Sequence, residues 1–312
     1  MILIGVRKRI ENNEKEIDDY AVYASAEIKP LNKILIRPAL RYAYNTRFAT
    51  PVIPSINFKY DVSSKQTLRL SYSRGFRSPG IKELYLLFID SNHDVEGNEN
   101  LKPETSDNYQ GSYTFTFPSD KIKYKTGAKV FYNDVKNLIT LAQYSAGSSL
   151  YTYINIGNYK TKGVEWTNDF AYKNFNFSAG YAYTGRYAAE EFLSTHPEFS
   201  YHSEVNASAD YTFKKLSTTL AVFYKYNGSE PVFVLDNAGN KTGKLTGEDY
   251  HVLDATLMKK FLANKICVSG GMKNLFNVTS IQQYGNNSAH ENENNTLILP
   301  GRSWFVKIQL NF

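Results

Sequence analysis

The sequence predicts an all-β protein, an antiparallel transmembrane β-barrel meander of about fourteen strands. Apolar and polar side chains alternate along segment after segment, as in the last one, where Trp304, Val306, Ile308 and Leu310 share one face. Minimal turns alternate with long polar connections, which indicates a meander with all its long loops at one rim. The chain contains 25 tyrosines and 19 phenylalanines, although its mean hydropathy is only −0.43. This combination is typical of the aromatic girdles of a barrel.

Composition also limits the classes of protein that remain. The longest purely apolar and aromatic run, Leu84–Ile89, is far shorter than the roughly twenty residues that a membrane-spanning helix needs. A single cysteine, Cys267, precludes an internal disulfide. The formal charge of +6 would suit an anionic ligand, although scattered Lys and Arg are usually solvated surface. The chain has no GxGxxG motif, no P-loop and no serine with a histidine and an acid nearby, so no enzymatic activity is predicted.

The strands are predicted to follow one another along the chain. Lys33–Tyr44 has Ile34, Ile36, Leu40 and Tyr42 on one face, and Pro38 predicts a bulge or weak pairing because proline removes a ladder donor. The other predicted strands are Leu3–Ile10, Asp18–Ile28, Val52–Tyr60, Lys123–Val135, Gly163–Tyr172, Phe175–Tyr187, Ser203–Phe213, Thr218–Tyr226 and Ile266–Phe276, with further strands around Leu70, Tyr113, Leu257 and Val306. The long connections are centred on Glu14, Thr46, Asp90, Ser148, Ser194, Ala238 and Asn287.

One connection, from Phe76 to Glu104, is much longer than a hairpin loop. It opens with the sequence FRSPG, continues as IKELY and a polar interval, and closes with NENLKPE. Both ends join alternating strands, so the loop is tethered at each side. Its roughly thirty residues far exceed the two to five of an ordinary hairpin, which favours a functional role.

These residues also carry a resemblance. FRSP and NENL-KPE resemble the FRAP and NPNL boxes of TonB-dependent outer-membrane receptors, with Ser78 in place of the usual Ala and Glu99 in place of the usual Pro. The segments FYN with LI, N with GVE, and KNLF resemble other boxes of the same family, so the resemblance covers essentially the whole chain. The residues that match the loop boxes are Phe76, Arg77, Pro79, Asn98, Leu101, Pro103 and Glu104.

The resemblance implies a fold and a cellular place. Receptors of this family have an N-terminal plug inside a barrel of twenty-two strands, so residues 1–312 are expected to form one incomplete domain, the C-terminal portion of the barrel. The first residues are apolar and then basic, the reverse of an export signal, so the N-terminal part is expected to be missing. The implied location is the bacterial outer membrane, with the long loops outside. Phe312 would be the aromatic signal that the barrel-assembly machinery reads.

The resemblance also implies a function, namely energised uptake of a ferric siderophore, haem or cobalamin. The expected partners are the TonB energy-coupling protein, acting through the missing N-terminal region, outer-membrane lipid, and a surface lipoprotein as a further candidate. No nucleic-acid partner and no intrinsic cofactor are expected, and haem or a ferric siderophore would be bound only as transported ligand.

The long loop is the predicted ligand site. Arg77, Lys82, Tyr85, His93 and Asp94 form a mixture suited to an anionic, aromatic or metal-bearing ligand. The two cations would meet propionates or siderophore carboxylates, and the tyrosine would stack on a planar ligand. His93 stands between the two boxes, where haem receptors of this family place an iron-ligating histidine.

Alternatives remain open at this point. The FRSP and NENL boxes can simply fix the folded shape of the loop, with Pro79 and Pro103 setting its bends. His93 can be an ordinary loop residue. A complete fourteen-stranded porin that conducts passively, or a soluble all-β module, would show much of the same strand pattern, although a soluble module has no reason for so many aromatic residues.

Overall fold

The strands of the chain build one large antiparallel sheet. A computed structural model describes residues 4–10, 13–89, 94–117, 119, 121–143, 150–189, 199–229, 231–235, 241–282 and 295–311. Several predictions lie outside these residues, namely those for Asp90, His93, Ser148, Ser194, Ala238, Asn287 and Phe312.

The described elements are twenty-one strands, one α-helix and one 3-10 turn. The strands are β1 Ile4–Ile10, β2 Asn13–Ser25, β3 Ile28–Leu31, β4 Ile34–Asn45, β5 Ile53–Ser63, β6 Gln66–Arg77, β7 Leu87–Ile89, β8 Asp94–Glu96, β9 Glu104–Phe117, β10 Ile122–Gln143, β11 Leu150–Tyr172, β12 Phe175–Ala189, β13 Ser200–Phe213, β14 Thr218–Asn227, β15 Pro231–Leu235, β16 Lys241–Thr246, β17 Tyr250–Phe261, β18 Ile266–Lys273, β19 Ser280–Gln282, β20 Asn295–Leu297 and β21 Ser303–Leu310. Helix α1 is Ile81–Tyr85, and the 3-10 turn is Lys214–Leu216.

Fourteen of these strands form the predicted meander. Each pairs antiparallel with the next, in the order β1, β2, β4, β5, β6, β9, β10, β11, β12, β13, β14, β17, β18, β21. Strand β3 continues β2 alongside β4, and β8 pairs parallel with β11. The all-β antiparallel fold and the strand number are therefore confirmed. Among the described residues, no ladder joins β1 to β21, so the sheet has two free edges.

The apolar face of the meander is its outward face. Trp304 and Val306, on the edge strand β21, are 73% and 77% exposed. Val22, Tyr42 and Tyr44, on β2 and β4 near the other edge of the sheet, are also more than half exposed. Exposed aromatic and β-branched side chains on one face of a sheet are what a lipid-facing surface requires. No helix among the described residues is long and apolar enough to cross a membrane.

The short turns lie together at one end of the sheet. Lys173, Ser217 and residues 262–264 adopt positive φ angles of 48 to 73° there, which allows the chain to reverse within a few residues. The opposite end carries the long connections, two of which contain the small hairpins β15–β16 and β19–β20. The predicted alternation of short and long connections is therefore present.

Two predicted connections are wrong in length. Glu14 is not the centre of a loop, because β2 begins at Asn13 and its register places Glu14 opposite Arg9. The polar composition of this segment concealed the strand. Strands β10 and β11 run to Gln143 and from Leu150, well beyond the predicted limits at Val135 and Gly163.

Strand pairing is interrupted near Pro38 and ends at Asn274. The pairing of β2 with β4 stops at Ser25 opposite Ala39 and resumes as β3, which agrees with the weak pairing predicted at Pro38. The predicted strand to Phe276 instead ends at Lys273. The reason is Asn274, a buried residue with a φ of 52° whose side chain donates to the carbonyls of Val278 and Pro300 and so closes a turn.

Candidate functional site

The FRSP box forms the turn that leaves the sheet at the end of β6. Its last strand residue is Arg77, and the turn leads into helix α1. The Gly80 amide donates to the Glu83 carboxylate at 2.6 Å, which satisfies one of the free N–H groups at the start of this short helix. Pro79 is fully buried beneath the turn. The box therefore sets the direction in which the loop leaves the barrel wall.

Arg77 joins the two boxes through a pair of carboxylates. Its Nε and Nη2 donate to the two oxygens of Glu104 at 2.9 and 2.7 Å, a bidentate geometry. Its Nη1 donates to both oxygens of Glu83 at 2.8 and 3.0 Å. The hydrogen bonds to Glu104 have the largest effect on the pKa of Arg77 and raise it. Burial opposes them, and the hydrogen bonds to Glu83 raise the pKa further. The guanidinium is thus already neutralised by two anions.

Glu104 is the more enclosed partner, with a side chain only 14% exposed. It also accepts a hydrogen bond at 2.6 Å from the backbone amide of Ile139 on β10. Burial by itself would raise the pKa of Glu104, but the hydrogen bonds from Arg77 and Ile139 and the charge of Arg77 lower it below its ordinary value. The carboxylate therefore connects three strands, because it reaches from β9 to the ends of β6 and β10. We call the contacts of Arg77, Glu83 and Glu104 the carboxylate clasp.

The NENL box returns the loop over helix α1. The Asn98 amide donates to the carbonyl of Glu83 at 2.8 Å, and its side-chain Nδ2 donates to the carbonyl of Tyr153 at 2.8 Å. The preceding Gly97 donates to the carbonyl of Leu86 at 2.6 Å. A Cβ on Gly97 would lie 2.6 Å from backbone atoms of the helix end, so only glycine fits this approach.

An apolar core lies under the loop. Leu84, Leu101 and Ile139 are 1, 3 and 8% exposed and pack together, with Tyr153 partly buried against them. Because the apolar side chains come from α1, the NENL box and β10, this cluster holds the loop to the barrel wall.

Two asparagines that the sequence analysis did not single out as site residues complete this attachment. Asn155 exchanges hydrogen bonds with the backbone of Lys102 at 2.8 and 2.9 Å and donates to the carbonyl of Asn137 at 2.8 Å. Asn137 has a φ of 56° and is skipped in the register, where Lys136 pairs with Asn158 and Leu138 with Ile156. The register is the same on both sides of Asn137, so β10 continues in the same ladder to Ile139, which lies in the core of the loop.

Tyr85, predicted to stack on a ligand, has two cations of the same chain near its ring. The Lys15 Nζ lies 4.6 Å from its ring centroid, and the Arg47 Cζ lies 5.0 Å away. Arg47 also donates to the carbonyl of Glu99 at 3.2 Å. These contacts connect the long loop to the ends of β2 and β4.

An open cavity of about 820 Å³ lies below the FRSP turn, on the inward face of β4 and β6. Its lining includes Asp19, Arg41 and Lys82, and Asp19 accepts a hydrogen bond from Asn45 at 2.8 Å. The side chains of Arg41 and Lys82 have no hydrogen-bond or ion-pair partner among the described residues. The volume lies within the range of small-molecule pockets, and the two cations would favour an anionic occupant.

The other predicted site residues are placed as follows. Asp94 is the first residue of β8, opposite Ile89 and beside Leu150. His93 lies outside the described residues, so its role as an iron ligand stays a prediction. Among the histidines that are described, His202 is buried against Glu204 and His251 contacts the Tyr224 hydroxyl. Within the described part of the chain, no three His, Cys, Asp or Glu side chains are grouped to hold a metal ion.

A meander with a largely apolar outward face, a polar inward face and one elaborate loop at its rim is typical of an outer-membrane barrel of the receptor type. The chain belongs to the family described as TonB dependent receptor-like, beta-barrel, whose family model matches residues 5–275. This is an outer-membrane family of receptors and transporters.

Curated relatives come from Haemophilus influenzae. The chain is 24% identical over 300 residues to a probable hemoglobin and hemoglobin-haptoglobin-binding protein 4, a match that covers 83% of this chain and 29% of the relative. It is 29% identical over 172 residues to the heme/hemopexin utilization protein C, covering 46% of this chain and 24% of that protein. The chain therefore spans less than a third of the length of these relatives.

Solved structures share the fold at lower identity. A mutant of the ferric enterobactin receptor of Pseudomonas aeruginosa, in complex with enterobactin, superposes with a TM-score of 0.71 at 18% identity, and the match covers 95% of this chain and 45% of the receptor. The siderophore receptor PirA of Acinetobacter baumannii gives a TM-score of 0.70 at 16% identity, covering 97% and 47%. The chain corresponds to a little under half of each receptor.

Proposed function

We propose that residues 1–312 form the C-terminal part of the barrel of an outer-membrane receptor that takes up haem, with energy supplied through TonB. One observation carries this proposal. In a barrel of the TonB-dependent receptor family, the long loop is held in place by the carboxylate clasp and lies above a cavity that is lined by two cations without side-chain partners among the described residues. The remaining strands and the plug would come from the rest of the receptor, and they would pair with the free edges of β1 and β21. TonB, the barrel-assembly machinery and a surface lipoprotein are the partners we propose for that complete receptor.

Haem is favoured over a siderophore by the relatives whose sequences align. Both Haemophilus influenzae proteins are named for binding or using haem or haemoglobin, and one alignment extends over most of this chain. The ferric enterobactin receptors match by fold at 18% identity or less, which carries no information about the ligand. Arg41 and Lys82 suit the two propionates of haem, and they would equally suit an anionic siderophore, which the experiment below separates.

The passive porin that the strand number allowed is disfavoured. A complete barrel of fourteen strands needs its first and last strands to pair, because an open edge in lipid leaves backbone groups unsatisfied. Among the described residues that pairing is absent, and β21 pairs only with β18.

Growth on haem tests the ligand and the predicted role of His93. In the full-length receptor, expressed in an outer-membrane haem-uptake mutant, we expect His93→Ala to reduce haem-dependent growth severely because the iron loses an axial ligand. Growth on a ferric siderophore through a separate receptor should be unaffected. His251→Ala is the matched control, since His251 lies at the same end of the sheet but its ring packs against that of Tyr226, with the centroids 4.8 Å apart. Normal haem growth of the His93→Ala strain would remove His93 from the site, and a receptor that supports siderophore growth but no haem growth would change the ligand class.

Cysteine labelling on intact cells tests the proposed orientation. In a Cys267→Ser background we expect Glu99→Cys, in the long loop, to react with a membrane-impermeant maleimide. Asn264→Cys, in a short turn, and Ser119→Cys should react only after the cells are lysed. Labelling of the two turn positions from outside, with Glu99→Cys protected, would reverse the orientation.

A further inference from the structure

Two lysines occupy the outward face of the sheet close to its long-loop end. Val130 and Val164 are cross-strand partners on this face and are 55% and 46% exposed, as lipid-facing residues are. Two positions further toward the long loops, Tyr132 pairs with Lys162. Cations on this face are unusual, because a charge directed at hydrocarbon is costly.

The lysines stand within a row of aromatic residues. The register joins Tyr72, Tyr109 and Tyr132 directly across β6, β9 and β10, and the same row continues through Lys162 and Gly185 to Tyr201. Tyr72 and Tyr109 have their ring centroids 5.1 Å apart. A row of tyrosines at one level is typical of the boundary between hydrocarbon and headgroups, so Lys162 lies at headgroup level.

Aromatic rings hold the Lys162 ammonium in place. Its Nζ lies 4.0 Å from the Phe199 ring centroid and 5.7 Å from that of Tyr201. The Tyr201 ring lies across Gly185, where a Cβ would meet the ring at 2.5 Å. Lys162 has no carboxylate partner among the described residues, so its charge is positioned but not neutralised.

Lys160 is one level further out on the same strand. Its Nζ lies 5.9 Å from the Tyr187 ring centroid and 3.7 Å from Asp134 Oδ2, a distance too long for a direct hydrogen bond. An ammonium group has three donors, so this pairing leaves Lys160 free to bind a further anion. Lys160 and Lys162 thus form adjacent cations at the membrane boundary, which we call the lysine patch, together with Tyr187, Phe199 and Tyr201.

We propose that the lysine patch binds the phosphate groups of a phosphorylated glycolipid in the outer leaflet of the outer membrane. The position fits this occupant because the patch faces lipid at the long-loop end, where only outer-leaflet headgroups reach. The charge fits because two ammonium groups meet phosphate oxygens, and the aromatic rings fit the sugar faces between them. The proposal rests on the orientation given above, which the cysteine labelling tests separately.

The test is lipid binding by the purified full-length receptor, measured by native mass spectrometry with bisphosphorylated lipid A. We expect the K160Q/K162Q variant to bind roughly thirtyfold more weakly, from about 1 kcal/mol for each lysine near an anionic surface. Lys259→Gln is the matched control. Lys259 is also outward-facing and lies 5.6 Å from the Phe261 ring centroid, but it is at the short-turn end, and its loss should leave binding unchanged.

Three results would overturn the proposal. The double variant binding lipid A as wild type does would exclude the patch. An equal loss of affinity for lipid A stripped of its phosphates would mean that the lysines contact acyl chains or sugars instead. Equal competition by inorganic phosphate alone would mean that the patch is a free-anion site and not a lipid site. The heat-induced shift in electrophoretic mobility confirms that each variant has folded.

Discussion

Replacing Gly97 by alanine is expected to detach the long loop from helix α1. The added Cβ would lie 2.6 Å from Leu84 C and Tyr85 N, and these are backbone atoms that cannot rotate away. Either the helix or the NENL box must move, which breaks the hydrogen bonds from Gly97 to Leu86 and from Asn98 to Glu83. Overpacking of this kind costs roughly 3 kcal/mol, which corresponds to about a hundredfold faster opening of the loop.

Hydrogen exchange of the receptor checks this result locally. Amides of residues 78–86 and 97–101 should lose protection in the Gly97→Ala variant, while those of β12 and β13 keep theirs. Gly180→Ala is the matched control, because a Cβ there has its nearest neighbour at 3.9 Å. Unchanged protection around α1 in the Gly97 variant would show that the loop accommodates the methyl group and is less rigid than its contacts indicate.

Most of the fold could be predicted from the sequence because a barrel repeats one simple pattern. Each strand needs an apolar outward face and a polar inward face, so period-two alternation locates it, as at Trp304 and Val306. The limits of β10 and β11 could not be predicted in this way. Beyond Val135 the lipid no longer dictates alternation, and the strands continue because they pair with each other in one register as far as Gln143 and because Ile139 packs in the loop core.

The site was only partly predictable, because sequence shows which charges are present but not which are paired. Arg77 carries a charge suited to a ligand, yet in the structure Glu83 and Glu104 satisfy it. This geometry supports the alternative in which the two boxes fix the shape of the loop. The opposite holds for Arg41, whose side chain lines the cavity without a partner among the described residues. No sequence signal distinguishes these two arginines, since pairing depends on contacts between distant strands.

The carboxylate clasp keeps the base of the long loop ordered before a ligand binds. A ligand loses less affinity when the groups that meet it are already ordered. The clasp, the Leu84–Leu101–Ile139 core and Asn155 order the base of the loop, so Lys82 is held at the rim of the cavity. We infer that the FRSP and NENL boxes hold the loop in place and that the exposed cations of the loop contact the ligand.

The clasp should loosen in acid, and Glu104 should be responsible. Because the folded-state pKa of Glu104 is lowered, its stabilising contribution is fully present above the unfolded value near 4.5 and is lost as the pH falls through the folded value. Protonation removes the charge that Arg77 binds in bidentate geometry. We therefore expect the exchange protection of residues 80–86 and 97–101, corrected for the intrinsic pH dependence of exchange, to be constant from pH 7 to about 5 and to fall below about 4.

Glu104→Gln should produce the loosened state at neutral pH. The amide oxygen can still accept from Ile139, but the bidentate contact with Arg77 is lost, at a cost of about 2 kcal/mol, or roughly thirtyfold faster opening. The acid transition should then be reduced, because one of the two carboxylates that bind Arg77 no longer titrates. Glu99→Gln is the matched control: its carboxylate is 3.7 Å from Arg47 and its side chain is 62% exposed, so neither protection nor the acid transition should change. A Glu104→Gln receptor that keeps both its protection and its acid transition would show that the three strand ends are held by the apolar core alone.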